Sequence, residues 1–176
     1  MKIVVLGSQG SGKSTQAKLL AQKLHLPAIE MGQIFRDKAN GNDIEAGQVK
    51  QALESGNLVP DQIAIHALQD RLAKSDCKNG YVLDGYPRNY AQIEGLPTDI
   101  DKVIIIKVSD QEGIKRLIQR LRKDDSLDII TQRLAIYHKE TEPLLTYFRN
   151  KGILLEIDGE KSPEQVHQEI VEKLKI

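Results

Sequence analysis

Four short runs of β-branched and aliphatic residues punctuate the chain: "KIVVL" (2–6), "YVLD" (81–84), "KVIIIKV" (102–108) and "ILLEI" (153–157). Each is nearly continuous in apolar residues instead of alternating with polar ones. That pattern suits strands covered on both faces, as in a parallel sheet. A weaker run, "PAIEM" (27–31), predicts a fifth strand. Between the runs the apolar spacing becomes helical. Residues 13–25 carry Ala17, Leu20, Ala21 and Leu24 on one face, and segments 61–74, 110–120, 127–149 and 162–175 are spaced similarly. Ser162-Pro163 reads as a helix start, with Ser as N-cap and Pro in the first turn. Pro143 is expected to kink or divide the 127–149 helix. Its Tyr137, Leu144, Leu145, Tyr147 and Phe148 are expected to pack on the core.

Strands alternating with helices predict an α/β doubly wound fold, and ligands in such sheets sit beyond the carboxyl ends of the strands. Residues 30–60 depart from the alternation. They hold helical fragments broken at Gly41-Asn42 and Gly56-Asn57, and predict a small helical insert on the α/β core. No internal repeat or low-complexity tract divides the chain, so residues 1–176 are expected to form a single domain.

Directly after the first strand comes "GSQGSGKST" (7–15), which satisfies G-x-x-x-x-G-K-[ST] through Gly7, Gly12, Lys13 and Ser14. Glycines there let successive backbone N–H groups turn inward around a phosphate, and the following helix offers its positive end. Lys13 is placed to reach β and γ phosphates, and the Ser14 hydroxyl to serve Mg²⁺. Such patterns also arise by chance, but this one follows a strand and opens a helix. A P-loop takes a metal-holding acid from another strand, and Asp84 ends "YVLD". A strand-end Asp can simply cap a turn; beside a P-loop the metal role is the better reading.

Composition narrows the partners. Lys plus Arg equals Asp plus Glu, 25 each, in 176 residues, so no global basic footprint argues for nucleic acid or an anionic membrane. The cations that would serve an anionic ligand must then be local. The one cysteine, Cys77, is read as inert and fits a reducing, cytoplasmic setting. "MKIVVLG" is too short an apolar run for a membrane span. His25, His66, His138 and His167 lack ligand spacing and read as surface or edge residues.

A P-loop alone leaves a GTPase, an ATPase or a kinase open. The arginines narrow the choice. Of eight in the chain, three fall in "RLIQRLRKDD" (116–125), with Arg116 and Arg120 four apart on one helical face. A charged run is usually a solvated face, yet guanidinium forks also match phosphate oxygens.

Taken in order along the chain, "GSQGSGKSTQA", "GQIFR" (32–36), "GNLVPD" (56–61), "YVLDGYPRNYAQ" (81–92), "RKDD" (122–125), "TQRLAIYHKETEPLLTYF" (131–148) and "IDGEKSPEQV" (157–166) resemble the adenylate kinase family of nucleoside monophosphate kinases. The resemblance implies a P-loop three-layer fold: a five-stranded parallel sheet flanked by helices, an NMP-binding insert at 30–59 and a lid at about 120–126. It implies the reaction ATP + AMP ⇌ 2 ADP with Mg²⁺ held near Ser14 and Asp84; no structural zinc is expected, because no Cys or His cluster offers the zinc site of some long-lid relatives.

It further implies that Gly10, Ser11, Gly12, Lys13, Ser14 and Thr15 hold ATP phosphates. Arg116 would stack on the ATP adenine, Arg120 would approach its phosphates, and the backbone near Lys161 would contact its base. On the AMP side, Arg36 and Arg88 would grip the phosphate. Asn57, Leu58 and Val59 would line the base, Gln92 would read it by its amide, and Met31, Gly85, Tyr86 and Pro87 complete the set. Arg122 and Arg133 would close on the phosphates in transfer, so that Lys13, Arg88, Arg120, Arg122 and Arg133 carry the catalysis. Arg88 and Gln92 are expected to lie one helical turn apart.

Three departures from the family pattern stand out. Met31-Gly32-Gln33 replaces a Ser/Thr-Gly-Asp, and Met31 is expected to pack against a purine. Gln9 and Ser14 stand where Pro and Gly are usual. The lid is very short, with Arg120 and Arg122 separated by one residue, so that Asp124-Asp125 and the arginines would close as a minimal flap. The alternatives are a kinase for UMP, CMP or another monophosphate, and a non-catalytic adenine-nucleotide-binding module. ATP and AMP or ADP are the expected partners, and a monomer is the favoured state.

Overall fold

The computed structural model describes residues 1–120 and 126–176; Arg122, Asp124 and Asp125 lie outside the described residues. In chain order the elements are β1 (Lys2–Gly7), α1 (Lys13–Leu24), β2 (Ala28–Glu30), α2 (Met31–Lys38), α3 (Ile44–Ser55) and α4 (Asp61–Leu72). Then come β3 (Tyr81–Asp84), β4 (Lys102–Lys107), α5 (Asp110–Arg120), α6 (Leu127–Ile136), α7 (Leu144–Asn150), β5 (Leu154–Asp158) and α8 (Pro163–Leu174).

The five strands form one sheet in the order β2-β3-β1-β4-β5, and every pairing is parallel. The continuous apolar runs follow from this arrangement. Val4 and Leu6 of β1 face one core with Tyr81, Leu83, Val103 and Ile105. Ile3 and Val5 face the other with Val82, Ile104 and Ile106. Successive strand side chains point to opposite faces, and both faces are covered, so both must be apolar. The first face is closed by α4 and α7 through Leu68, Leu144 and Phe148. The second is closed by α1 and α8 through Ala17, Leu20, Val166 and Ile170. Burying each large aliphatic chain here contributes about 1.5–3 kcal/mol.

Local signals set the helix ends. Ser162 caps α8 in a reciprocal capping box with Gln165. Asp43 caps α3 by accepting from the Ala46 N–H, and Gly56 closes it with a left-handed backbone (φ 73°). The 127–149 helical stretch is divided as expected: α6 runs into a π-helical turn, Tyr137–Thr141, and Pro143 precedes α7. Leu117, Ile130 and Leu134 join α5 to α6 in a small apolar cluster of their own. Among the described residues no helix is long and apolar enough to cross a membrane.

Strand order positions the chemistry. β1 lies between β3 and β4, and Val5 pairs with Asp84. The loop after β1 and the end of β3 therefore meet at the carboxyl edge of the sheet, where the chain switches direction of winding.

Candidate active site

The loop after β1 reaches α1 through Gly12, whose left-handed backbone (φ 85°) serves as a cap that carries no side-chain bond. The first N–H groups of α1 are thus open to an anion. Lys13 Nζ donates to the Ser8 carbonyl at 3.2 Å. Burial pushes the Lys13 ammonium down to about 8, against the pull of Asp84 and with the push of Arg88, Arg120 and Arg133. The Ser14 hydroxyl donates to Asp84 Oδ2 at 2.5 Å. Asp84 is 6% exposed, and its other oxygen, Oδ1, is buried without a hydrogen-bond partner among the described residues. An oxygen-only pair of hydroxyl and carboxylate with one carboxylate oxygen unused is a donor set that fits Mg²⁺.

The segment after β3 forms the opposing wall. Gly85 adopts a left-handed backbone (φ 81°), and the Tyr86–Pro87 peptide is cis. Arg88 Nε donates back to the Gly85 carbonyl at 3.0 Å, and burial lowers the pKa of the guanidinium. Arg88 and Gln92 are not joined by a helical turn, contrary to the sequence expectation. Only a 3₁₀ turn forms here, over Ala91–Gly95, after a left-handed Gly85 and the proline at position 87. The two residues are linked directly instead: the Arg88 backbone N–H donates to Gln92 Oε1 at 2.9 Å. Tyr86 is buried beneath the segment, its hydroxyl donating to the Gln92 carbonyl.

Helices α2 and α3 and the segment after them supply the third wall. Arg36 of α2 donates through Nε and Nη2 to Gln33 Oε1, at 3.2 and 2.9 Å. Gln33 in turn donates to Asp37 at 2.7 Å. The amide at position 33 therefore orients Arg36 without adding a negative charge. Met31 is placed differently from its expectation. It is fully buried in the core with Phe35 and Val49, and does not line the cleft. As the first residue of α2, directly after β2, it points into the sheet–helix interface, where a thioether packs well. Asn57, Leu58 and Val59 do line the cleft. Gln132 of α6 donates to Asn57 Oδ1 at 3.1 Å, and Arg133 Nη2 to the Leu53 carbonyl at 3.4 Å.

Two clefts result. One holds Arg36, Asp84, Arg88, Gln92 and Arg133; the other holds Gly10 to Gln16, Arg116, Gly159 and Lys161. Lys13, Ser14 and Arg120 line both. Arg116 is held by Glu112 at 2.7 Å and donates to the Gly159 carbonyl at 2.9 Å. The Lys161 ammonium is drawn to Glu169 at 2.9 Å. Arg122 lies outside the described residues.

Three residues with roles in this geometry are absent from the sequence-based site. Thr141, in the π-helical turn, donates to the Arg88 carbonyl at 2.6 Å. Asp61, at the start of α4, accepts from both Gln92 and Asn89. Gln33 holds Arg36. Each lies inside a quoted motif, Gln33 in "GQIFR", Asp61 in "GNLVPD" and Thr141 in "TQRLAIYHKETEPLLTYF", but nothing local assigned it a contact.

Comparison with known proteins accords with this geometry. The family model described as "Adenylate kinase" matches residues 5–153. The chain is 38% identical over 187 residues to "Adenylate kinase" of Thermobifida fusca, covering 99% of this chain and 98% of that protein. It is 36% identical over 211 residues to "Adenylate kinase" of Rickettsia bellii, covering all of both. It is 35% identical over 209 residues to the protein of the same name from Lachnoclostridium phytofermentans, covering 97% and 96%. With a family match over most of its length and relatives this similar from end to end, the chain belongs to the adenylate kinase family.

Proposed function

We propose that the chain catalyses ATP + AMP ⇌ 2 ADP, with ATP in the cleft bordered by Arg116 and Lys161 and AMP in the cleft bordered by Arg36, Arg88 and Gln92. The observation that carries the assignment is the sharing of Lys13, Ser14 and Arg120 by both clefts. A γ-phosphoryl donor and its acceptor meet where the same cations reach both. Phosphoryl transfer is largely positioning and charge neutralisation. Arg36 and Arg88 hold the acceptor phosphate, while Lys13, Arg120, Arg122 and Arg133 offset charge on the moving phosphoryl. The acceptor is already an anion at neutral pH, so no general base is required. Ser14 and Asp84 would hold Mg²⁺, which neutralises phosphate charge and fixes the geometry of the bound triphosphate.

The Gln92 amide, held by the Arg88 N–H and Asp61 with an acceptor and a donor side by side, favours adenine as the acceptor base. Residues 30–59 act as the monophosphate clamp of a single catalytic domain. The enzyme is read as a cytoplasmic monomer; the buried Cys77, which has no disulfide, suits a reducing compartment. A coupled assay for ADP with Mg-ATP and each of AMP, UMP, CMP and GMP tests the reading. Turnover with AMP well above the others is expected; no turnover with any of them would defeat it.

A further inference from the structure

We propose that Asp61 is a positioning residue that fixes which way round the Gln92 amide is held, and so selects a 6-amino purine over a 6-oxo purine at the monophosphate site. The proposal rests on the reading of Gln92 as the group that meets the acceptor base.

A glutamine by itself does not choose between the two purines. Its amide can turn over and present either its oxygen or its nitrogen to the 6-position. Here it is held at both ends. Gln92 Nε2 donates to Asp61 Oδ1 at 3.0 Å, and Gln92 Oε1 accepts from the Arg88 backbone N–H at 2.9 Å. A carboxylate oxygen only accepts, and a backbone N–H only donates. One amide orientation satisfies both; the reverse sets oxygen against oxygen and N–H against N–H. The rest of the residue is equally fixed. Its N–H donates to Asn89 Oδ1 at 3.0 Å, and the Asn89 amide is itself anchored on Asp61 Oδ1 at 2.8 Å. Its carbonyl accepts from Tyr86. Gln92 is 3% exposed and lines the monophosphate cleft.

Each end of the amide keeps one valence for a ligand, a lone pair on Oε1 and an N–H on Nε2. A 6-amino purine offers a donor beside an acceptor and matches both. A 6-oxo purine sets its oxygen against Oε1, which the two anchors prevent from turning away. Without Asp61 one anchor remains, and the reversed amide loses much less.

The test compares kcat/KM for AMP and IMP, with Mg-ATP as donor, in the wild type and in Asp61→Ala, Asp61→Ser and Asp61→Asn. Ser supports the helix start but is too short to reach Gln92, and provides the measurement should the Ala variant fail to fold. Asn keeps an acceptor oxygen at the same place. Asp61→Ala or Asp61→Ser is expected to lower the AMP-to-IMP ratio about tenfold or more, mainly through KM for AMP, with KM for ATP unchanged. Asp61→Asn is expected to stay within about threefold of wild type. Equal losses for AMP and IMP would overturn the proposal and leave Asp61 a structural residue. So would an Asp61→Asn ratio as low as that of the Ala variant. A wild-type enzyme that turns over AMP without preferring it to IMP would overturn the base-reading role of Gln92 itself, a separate failure.

Discussion

The Ser14 hydroxyl and the Asp84 carboxylate, 70 residues apart in the chain, meet at 2.5 Å and tie the first turn of α1 to the end of β3. Asp84 Oδ1, on the same carboxyl group, has no hydrogen-bond partner among the described residues. A buried acceptor left open beside a hydroxyl fits the proposed Mg²⁺ site. Asp84→Ala is expected to lower turnover by about 10²-fold or more, and added Mg²⁺ should not rescue it. In the wild type, chelation should stop ADP formation and Mg²⁺ restore it. Steady-state rates across a Mg²⁺ titration check both.

Lys13 makes the free enzyme sensitive to alkaline pH. Burial holds its pKa near 8, below the ordinary 10.5. Below about 8 the folded and unfolded chains both carry the proton, and the burial cost is present in full. Between about 8 and 10.5 the unfolded chain holds a proton that the folded chain has released, so stability rises with pH. Thermal melts of the free wild type should show this rise relative to Lys13→Met, which has nothing to titrate. Bound phosphates favour the charged form, so ATP binding at pH 8.5 should take up a proton. Calorimetry in two buffers of different ionisation enthalpy measures it.

His138 predicts the opposite slope. Its ring bridges Glu142, at 2.8 Å, and Asp110, at 3.0 Å, linking α5 to the π-helical turn. These contacts raise its pKa above 6.5. The stabilisation is therefore complete below the unfolded value and fades as pH rises through the folded one. All three side chains are about half exposed, so the effect is under about 1 kcal/mol. His138→Ala should melt slightly below wild type at pH 5.5 and alongside it at pH 9.

Gly113 of α5 stands against the phosphate loop, and a Cβ there would come within 2.8 Å of the Gln9 carbonyl. In an open helix Gly→Ala stabilises by about 1 kcal/mol. Here the sign should reverse, to a loss of about 1–3 kcal/mol, because the backbone of the loop must move. Gly113→Ala should accordingly lower the melting point and raise KM for ATP more than KM for AMP.

Much of this was legible along the chain. The strands announced themselves because a two-sided core demands apolar residues at every strand position, as Ile3 to Leu6 and Val103 to Ile106 show. The phosphate loop, Asp84 and the break at Pro143 were legible because each depends on near neighbours and on backbone rules. Met31 was less so. Its neighbours Gly32 and Gln33 reach the cleft, but which way the first turn of α2 faces depends on its packing against the sheet. The Arg88–Gln92 spacing suggested a helical turn, and the Gly85–Pro87 corner overrode it.

By itself the sequence determined the α/β alternation, the phosphate loop and the family, since these rest on periodicity, propensity and contiguous motifs. Only the tertiary structure decided that Ser14 meets Asp84, that Thr141 holds the Arg88 carbonyl, and that Asp61 holds the amide of Gln92. Those pairs are separated by 70, 53 and 31 residues, and nothing local brings them together. They meet because parallel crossovers place β3 beside β1 and gather the ends of α1, α4 and the π-helical turn at one edge of the sheet.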